Sequence, residues 1–213
     1  MTLIKLNTPQ ILFIVIAPLI IFIGLFLAIY IPIHKRNLKK YYREFTYKTL
    51  YKISMNQDYY LINNFMFRFD TQILKIDHLL FADKFIYVIS DVCFDGDIAG
   101  KQDDPSIILI PKNSQKRYED NPIVNNKKVL SKLSMITGID ASLMVGVVVT
   151  NSDCRIAVES KSKQFYFIQR RNLKHLVKAI ESRDVAKINS EQLSRAVLAI
   201  DKMNRRKRNN VRK

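Results

Sequence analysis

From Ile11 to Ile33 the chain runs without a single charged side chain. No other feature restricts the possible folds so tightly. Wound as a helix rising about 1.5 Å per residue, the run reaches across a hydrocarbon core of about 30 Å. Pro18 and Pro32 do not forbid this, because membrane helices tolerate proline. A cleaved signal peptide fits less well: the run exceeds the usual apolar region, and no small-x-small cleavage site follows it. A soluble core helix of this length would carry a polar face, and this one has none. The expectation is a single membrane-spanning helix. Lys5 alone precedes the run, whereas Lys35, Arg36, Lys39, Lys40 and Arg43 follow it. The positive-inside rule then predicts a single-pass protein of the cell membrane, N-terminus outside and C-terminal domain cytoplasmic.

The remainder is the length of one domain. Its two cysteines, Cys93 and Cys154, read as reduced, buried thiols in such a compartment. Without clustered histidines they make no zinc site. The net charge of +16 is unevenly spread. One basic cluster follows the apolar run and is suited to anionic lipid headgroups. A second closes the chain, with Lys202, Arg205, Arg206, Lys207, Arg208, Arg212 and Lys213. This tail suits nucleic acid, anionic lipid or solvent alike. Between the clusters the chain is rich in Asp, from Asp70 to Asp104.

Periodicity predicts a helix from Asn37 to about Met55, then strands over Tyr59 to Phe69, Ile73 to Phe81 and Phe85 to Asp91. Asp95 to Asn121, broken by Gly96, Gly100, Pro105 and Pro111, reads as irregular with a short strand at Ile107 to Ile110. Pro122 to about Ile136 reads as a helix. Leu143 to Thr150, Arg155 to Glu159 and Gln164 to Ile168 read as strands. Asn172 to Glu181 and Ser190 to Met203 read as helices, with Ser190 as N-cap. Such an order describes an α/β sandwich. The expected organisation is an anchor at 1–36, a domain at 37–182, and a C-terminal helix with basic tail at 183–213.

The chemistry concentrates in one strand pair. Lys75-Ile76-Asp77-His78-Leu79-Leu80 is followed, after a short turn, by Phe85-Ile86-Tyr87-Val88-Ile89-Ser90-Asp91-Val92. An isolated Asp on one apolar strand, with polar residues ending the next, is how a metal-dependent nuclease presents its carboxylates. Around it, Glu44, the segment Asp58 to Ile62, Lys75-Ile76-Asp77-His78, Gly96 and Gly100, Asn121-Pro122-Ile123-Val124-Asn125-Asn126-Lys127, and Val147 to Thr150 follow in order. Together they resemble the nuclease-related domain (NERD) family over roughly Arg43 to Ile180. The resemblance implies a restriction-endonuclease-like α/β sandwich with a central mixed sheet. It also implies Glu44 and Asp77 as site residues, and an acidic-x-basic triplet on the second strand.

That triplet is where the chain departs. Ser90 stands where the family has Glu, and Val92 where it has Lys; Lys75 replaces a Gln, and the expected Trp is absent. Hydrolysis of a phosphodiester in such a site needs a hard cation, usually Mg²⁺, held by oxygen ligands. Serine is a weak, neutral ligand, and valine can neither donate nor carry charge. Asp91, one residue past the Glu position, points to the opposite strand face unless a bulge re-aims it. In that case Glu44, Asp77 and Asp91 would be catalytic, Asp77 and Asp91 holding the metal, with Lys75, Lys84 or Lys101 as a migrated lysine. The bland alternatives are an ion pair of Glu44 with Lys40 or Lys48, a turn at Asp95-Gly96-Asp97, and a solvated face at Arg170, Arg171 and Lys174. The expected protein is a membrane-anchored module with an eroded catalytic motif, binding nucleic acid or a partner, with Arg205, Arg206, Lys207 and Arg208 contacting nucleic acid. The alternatives are a divergent Mg²⁺-dependent nuclease, and a scaffold whose tail binds lipid or an acidic partner.

Overall fold

A computed structural model describes the backbone of residues 8–69, 72–111 and 115–210, and their side chains except at 8–15, 17, 32, 34–40, 72 and 205–210. The chain divides into two compact units, the first ending at Tyr41 and the second opening at Tyr42. Helix α1, Thr8–Gln57, contributes to both. In the first unit, Leu19, Ile20, Phe22, Leu25, Phe26 and Ile29 are all exposed. Among the described residues no helix is long and apolar enough to cross a membrane.

The second unit is a three-layer sandwich. Its main sheet contains β1 (Tyr60–Phe69), β2 (Gln72–Phe81), β3 (Ile86–Val92), β7 (Met144–Thr150) and β9 (Phe165–Gln169). They lie in the order β1-β2-β3-β7-β9. The first three pair antiparallel, and β3, β7 and β9 pair parallel. The sheet is therefore mixed, as expected. Strand alternation sends Ile86, Val88, Leu79, Phe81 and Val148 to one face, where helices α2 (Pro122–Thr137) and α4 (Ser190–Asn210) cover them with Val129, Leu130, Ala196 and Ile200. The other face carries Leu80, Tyr87, Ile89, Val145 and Val147. Leu50 and Ile53 of α1 and Val177 and Ile180 of α3 (Leu173–Glu181) pack there. Each such aliphatic side chain contributes about 1.5–3 kcal/mol by leaving water.

One expectation is corrected. The segment from Asp95 to Asn121, read as irregular with one short strand, holds that strand, β5 (Ser106–Pro111), and two more: β4 (Gly96–Lys101) and β6 (Arg117–Asp120). With β8 (Ile156–Glu159) they form a second sheet, β6-β5-β4-β8. Glycine occupies β4 because β5 comes too close for a side chain. A Cβ on Gly96 would lie 2.2 Å from the Ile110 carbonyl oxygen. Phe94, Ile98, Ile107, Leu109 and Cys154 fill a small core of their own. Burial pushes the Cys154 thiol up to about 11, so it stays protonated; Cys93, expected to be buried as well, is only partly so.

Asn121 braces this arrangement. Its Oδ1 caps α2 by accepting from the Ile123 N–H at 3.0 Å. Its Nδ2 donates to the carbonyls of Gln102 and Asp104 at 3.0 and 2.8 Å. Pro122 follows at the first helical position, where its missing N–H costs nothing.

At the amino-terminal end of β3, buried Tyr87 donates its hydroxyl to Glu181 Oε1 at 2.7 Å, and the Lys84 N–H donates to Oε2 at 3.1 Å. Burial holds the Glu181 carboxyl above its ordinary range, against the pull of those two hydrogen bonds. Tyr59, partly buried near the same carboxylate, is pushed up to about 12. An unfolded chain releases the Glu181 proton first. Stability therefore falls as pH rises from the ordinary value of 4.5 through the raised folded value, and levels off above it. Glu181→Gln is expected to flatten that slope in urea unfolding between pH 4 and 7. Glu181→Leu, which strands the Tyr87 hydroxyl, is expected to cost about 1–3 kcal/mol.

Candidate functional site

The candidate residues gather where β2 begins to pair with the carboxyl end of β3. The β2–β3 ladder holds from Phe81↔Ile86 to His78↔Ile89. Beyond it a side chain takes over: Asp77 Oδ2 accepts the Asp91 N–H at 3.0 Å. On the neighbouring strand, pairs Asn63↔His78 and Phe65↔Ile76 flank Asn64, which takes a left-handed φ of 52°. Asparagine is among the residues that tolerate this backbone.

The bulge that would turn Asp91 toward Asp77 is not found. The parallel pairing of β3 with β7 runs unbroken through Ser90↔Val148, Asp91↔Val149 and Val92↔Thr150. Ser90 and Asp91 therefore face opposite sides of the sheet. Ser90 Oγ donates to Asn126 Oδ1 of α2 at 2.7 Å. Asp91 instead meets His78: Oδ2 lies 2.8 Å from Nε2, with the two side chains 6% and 4% exposed. Asn63 Oδ1 closes the other side of the imidazole, 2.6 Å from Nδ1. His78 is 3% exposed.

Asp77 has partners of another kind. Arg43 Nη2 of α1 lies 3.1 Å from Oδ1, and Lys75 Nζ lies 3.9 Å from the same atom. Both are at ion-pair range, Lys75 beyond hydrogen-bond reach, and Oδ1 is buried without a hydrogen bond. Asn126 Nδ2, on the same amide that receives Ser90, is likewise buried without one. Glu44 lies apart from these groups in its bonding: it pairs with Lys48 at 3.0 Å and is 55% exposed, the ordinary i, i+4 helix pair. Of the three candidate migrated lysines, Lys75 alone pairs with Asp77. Lys84 donates to the Arg183 carbonyl at 2.6 Å, and Lys101 is exposed. Asp95 pairs with Arg117, and Asp97 accepts the Arg155 N–H, so the Asp-Gly-Asp segment is structural.

Several participants have no clear sequence signal. Arg43 reads only as a flanking charge, and Asn63 as an unremarked strand residue. Arg170, read from sequence as part of a solvated face, is a correction: it follows β9 in a short 3-10 turn, Arg170–Asn172. It is buried, its guanidinium carbon 4.3 Å from the Tyr42 ring and 5.3 Å from the Phe45 ring. The one available signal is spacing on α1: Tyr42, Arg43 and Phe45 share its first domain turn. The candidate tail residues Arg205, Arg206, Lys207 and Arg208 have side chains outside the described set.

Mg²⁺ would need several oxygen ligands in near-octahedral geometry. The donor set does not provide them: Asp77 faces two cations, Asp91 is committed to His78, Glu44 to Lys48, and Ser90 to Asn126. Among the described residues, no group of three or more His, Cys, Asp or Glu is placed to hold a metal.

A family model described as nuclease-related domain, NERD, matches residues 39–151, more than half of the chain. No curated protein and no solved structure matches it.

Proposed function

Because this chain belongs to the nuclease-related domain (NERD) family, we propose that it is a nuclease-related module that binds nucleic acid without metal-dependent cleavage, anchored at a membrane. One observation carries the first part: the two carboxylates available for catalysis are already held, Asp77 by Arg43 and Asp91 by His78. Ser90 and Val92 stand where a nuclease needs an acid and a lysine. A phosphodiester would meet basic groups instead, among them Arg43 and Lys75, which are 44% and 46% exposed. The basic tail, Arg205 to Arg208 included, adds positive charge for the same purpose; anionic lipid competes for the same residues.

The anchor rests on the uncharged run Ile11–Ile33, which lies within the single helix α1. Its described side chains are exposed, with Phe22 at 67% and Ile20 at 63%. The basic residues after it favour the cytoplasmic side for the folded unit.

The test uses the full chain in detergent micelles. A fluorescent single-stranded oligonucleotide should bind with an affinity falling steeply in salt, the log–log slope measuring the phosphates neutralised. Deleting Arg205 to Lys213 should weaken binding and lower the slope by about 0.7 for each phosphate no longer neutralised. Undetectable or salt-independent binding refutes the reading in favour of a scaffold. Mg²⁺-dependent cleavage abolished by Asp77→Ala refutes it in favour of a nuclease.

A further inference from the structure

In a metal-dependent site, the aspartate on β2 turns its free oxygen toward a cation. Here that oxygen, Asp77 Oδ1, already faces one. Arg43 Nη2 is 3.1 Å away and Lys75 Nζ 3.9 Å away, while the Asp77 side chain is 12% exposed. Its other oxygen holds the Asp91 N–H. A nearly buried carboxylate demands positive charge beside it, and α1 supplies that charge from within the chain. A divalent ion brought to Oδ1 would stand against the guanidinium and be repelled by it.

We propose that Arg43 is the resident cation of this site, taking the charge-neutralising place of a divalent metal at Asp77 and keeping metal out. This deepens the binding reading above by naming how the site does without metal. A guanidinium has five N–H donors in a fork that matches phosphate oxygens. Asp77 is paired with one of its nitrogens by charge alone, and the Arg43 side chain is 44% exposed, with Lys75 close to the same carboxylate oxygen.

The experiment restores the missing acid and asks whether Arg43 still decides. Ser90→Glu places a carboxylate on the strand position opposite Asp91's face, with and without Arg43→Ala. Mn²⁺ binding is read by electron paramagnetic resonance on the full chain in micelles. The wild type and Ser90→Glu should bind Mn²⁺ no better than Asp77→Asn. Ser90→Glu with Arg43→Ala should bind at least tenfold tighter than Ser90→Glu alone, and adding Asp77→Asn should abolish the gain. Ser90→Glu with Arg43→Lys, which keeps a cation and guards against a folding artefact, should behave like Ser90→Glu.

Asp77-dependent Mn²⁺ binding by the wild type would overturn the proposal. So would equal binding by Ser90→Glu with and without Arg43, whether tight or absent. These outcomes are independent of nucleic-acid binding: a chain that binds no oligonucleotide refutes the functional reading, while the Mn²⁺ comparison still decides the role of Arg43.

Discussion

Asp91→Ala is expected to cost the domain about 1–3 kcal/mol, the range for leaving a buried polar group without its hydrogen-bond partner. The substitution strips His78 Nε2 of its acceptor 2.8 Å away, in a place where both side chains are almost fully buried. At that depth the imidazole bears the desolvation penalty of an unpaired polar group. Asp91→Asn keeps an oxygen acceptor of the same shape and should lose only about 1 kcal/mol. Urea unfolding followed by far-ultraviolet circular dichroism measures both. The contrast separates a bracing residue from a metal ligand. Carboxylates assembled to hold a cation repel each other when it is absent, and removing one then tends to stabilise. Asp91→Ala within about 0.5 kcal/mol of the wild type would therefore refute the bracing role.

Gly96→Ala should be as damaging, for a different reason. The added methyl would fall 2.2 Å from the Ile110 oxygen and 2.5 Å from the Pro111 Cα, both main-chain atoms. Side chains can rotate away from a clash, but a paired strand cannot. Overpacking of this kind costs about 1–3 kcal/mol and sometimes more, and the upper end is expected here because β4 must separate from β5. Gly138→Ala is the control. Gly138 closes α2 with a φ of 67°, and a Cβ there meets nothing within 4 Å. Its cost should be the left-handed backbone alone, about 1–2 kcal/mol. Equal losses for the two variants would show that the second sheet yields more readily than its geometry implies.

Sequence patterning reveals the main sheet because its strands are rich in branched and aromatic residues, as in the continuous apolar run Ile86 to Ile89. It reveals α2 because an Asn-Pro start has a capping mechanism of its own. It misses β4 and β6. Gly-Asp-Ile-Ala-Gly-Lys carries two glycines, and Arg-Tyr-Glu-Asp is polar throughout. Each is a strand only because β5 lies beside it, and that neighbour is tertiary information. The site follows the same division. Ser90 and Val92 are legible as losses, since the local register can be counted. The fate of Asp91 is not, because His78 sits on another strand, and its nearness depends on how the ladder ends. Arg43 stays hidden for a related reason. A basic residue after an apolar run has an obvious lipid-facing explanation, and nothing local reveals that α1 delivers it to a carboxylate.

Asn121 has a consequence for how kinship in such chains is detected. One amide at once starts a helix and ties down two carbonyls in the turn between β4 and β5. Its replacement would disturb three segments, whatever chemistry the domain does or has given up. The Asn-Pro signature is therefore a mark of architecture, and it can outlast the activity whose name it carries. Searches that score it will gather working enzymes and silent relatives together. Sorting one from the other requires the residues at the ends of β2 and β3, where the scaffold tolerates change.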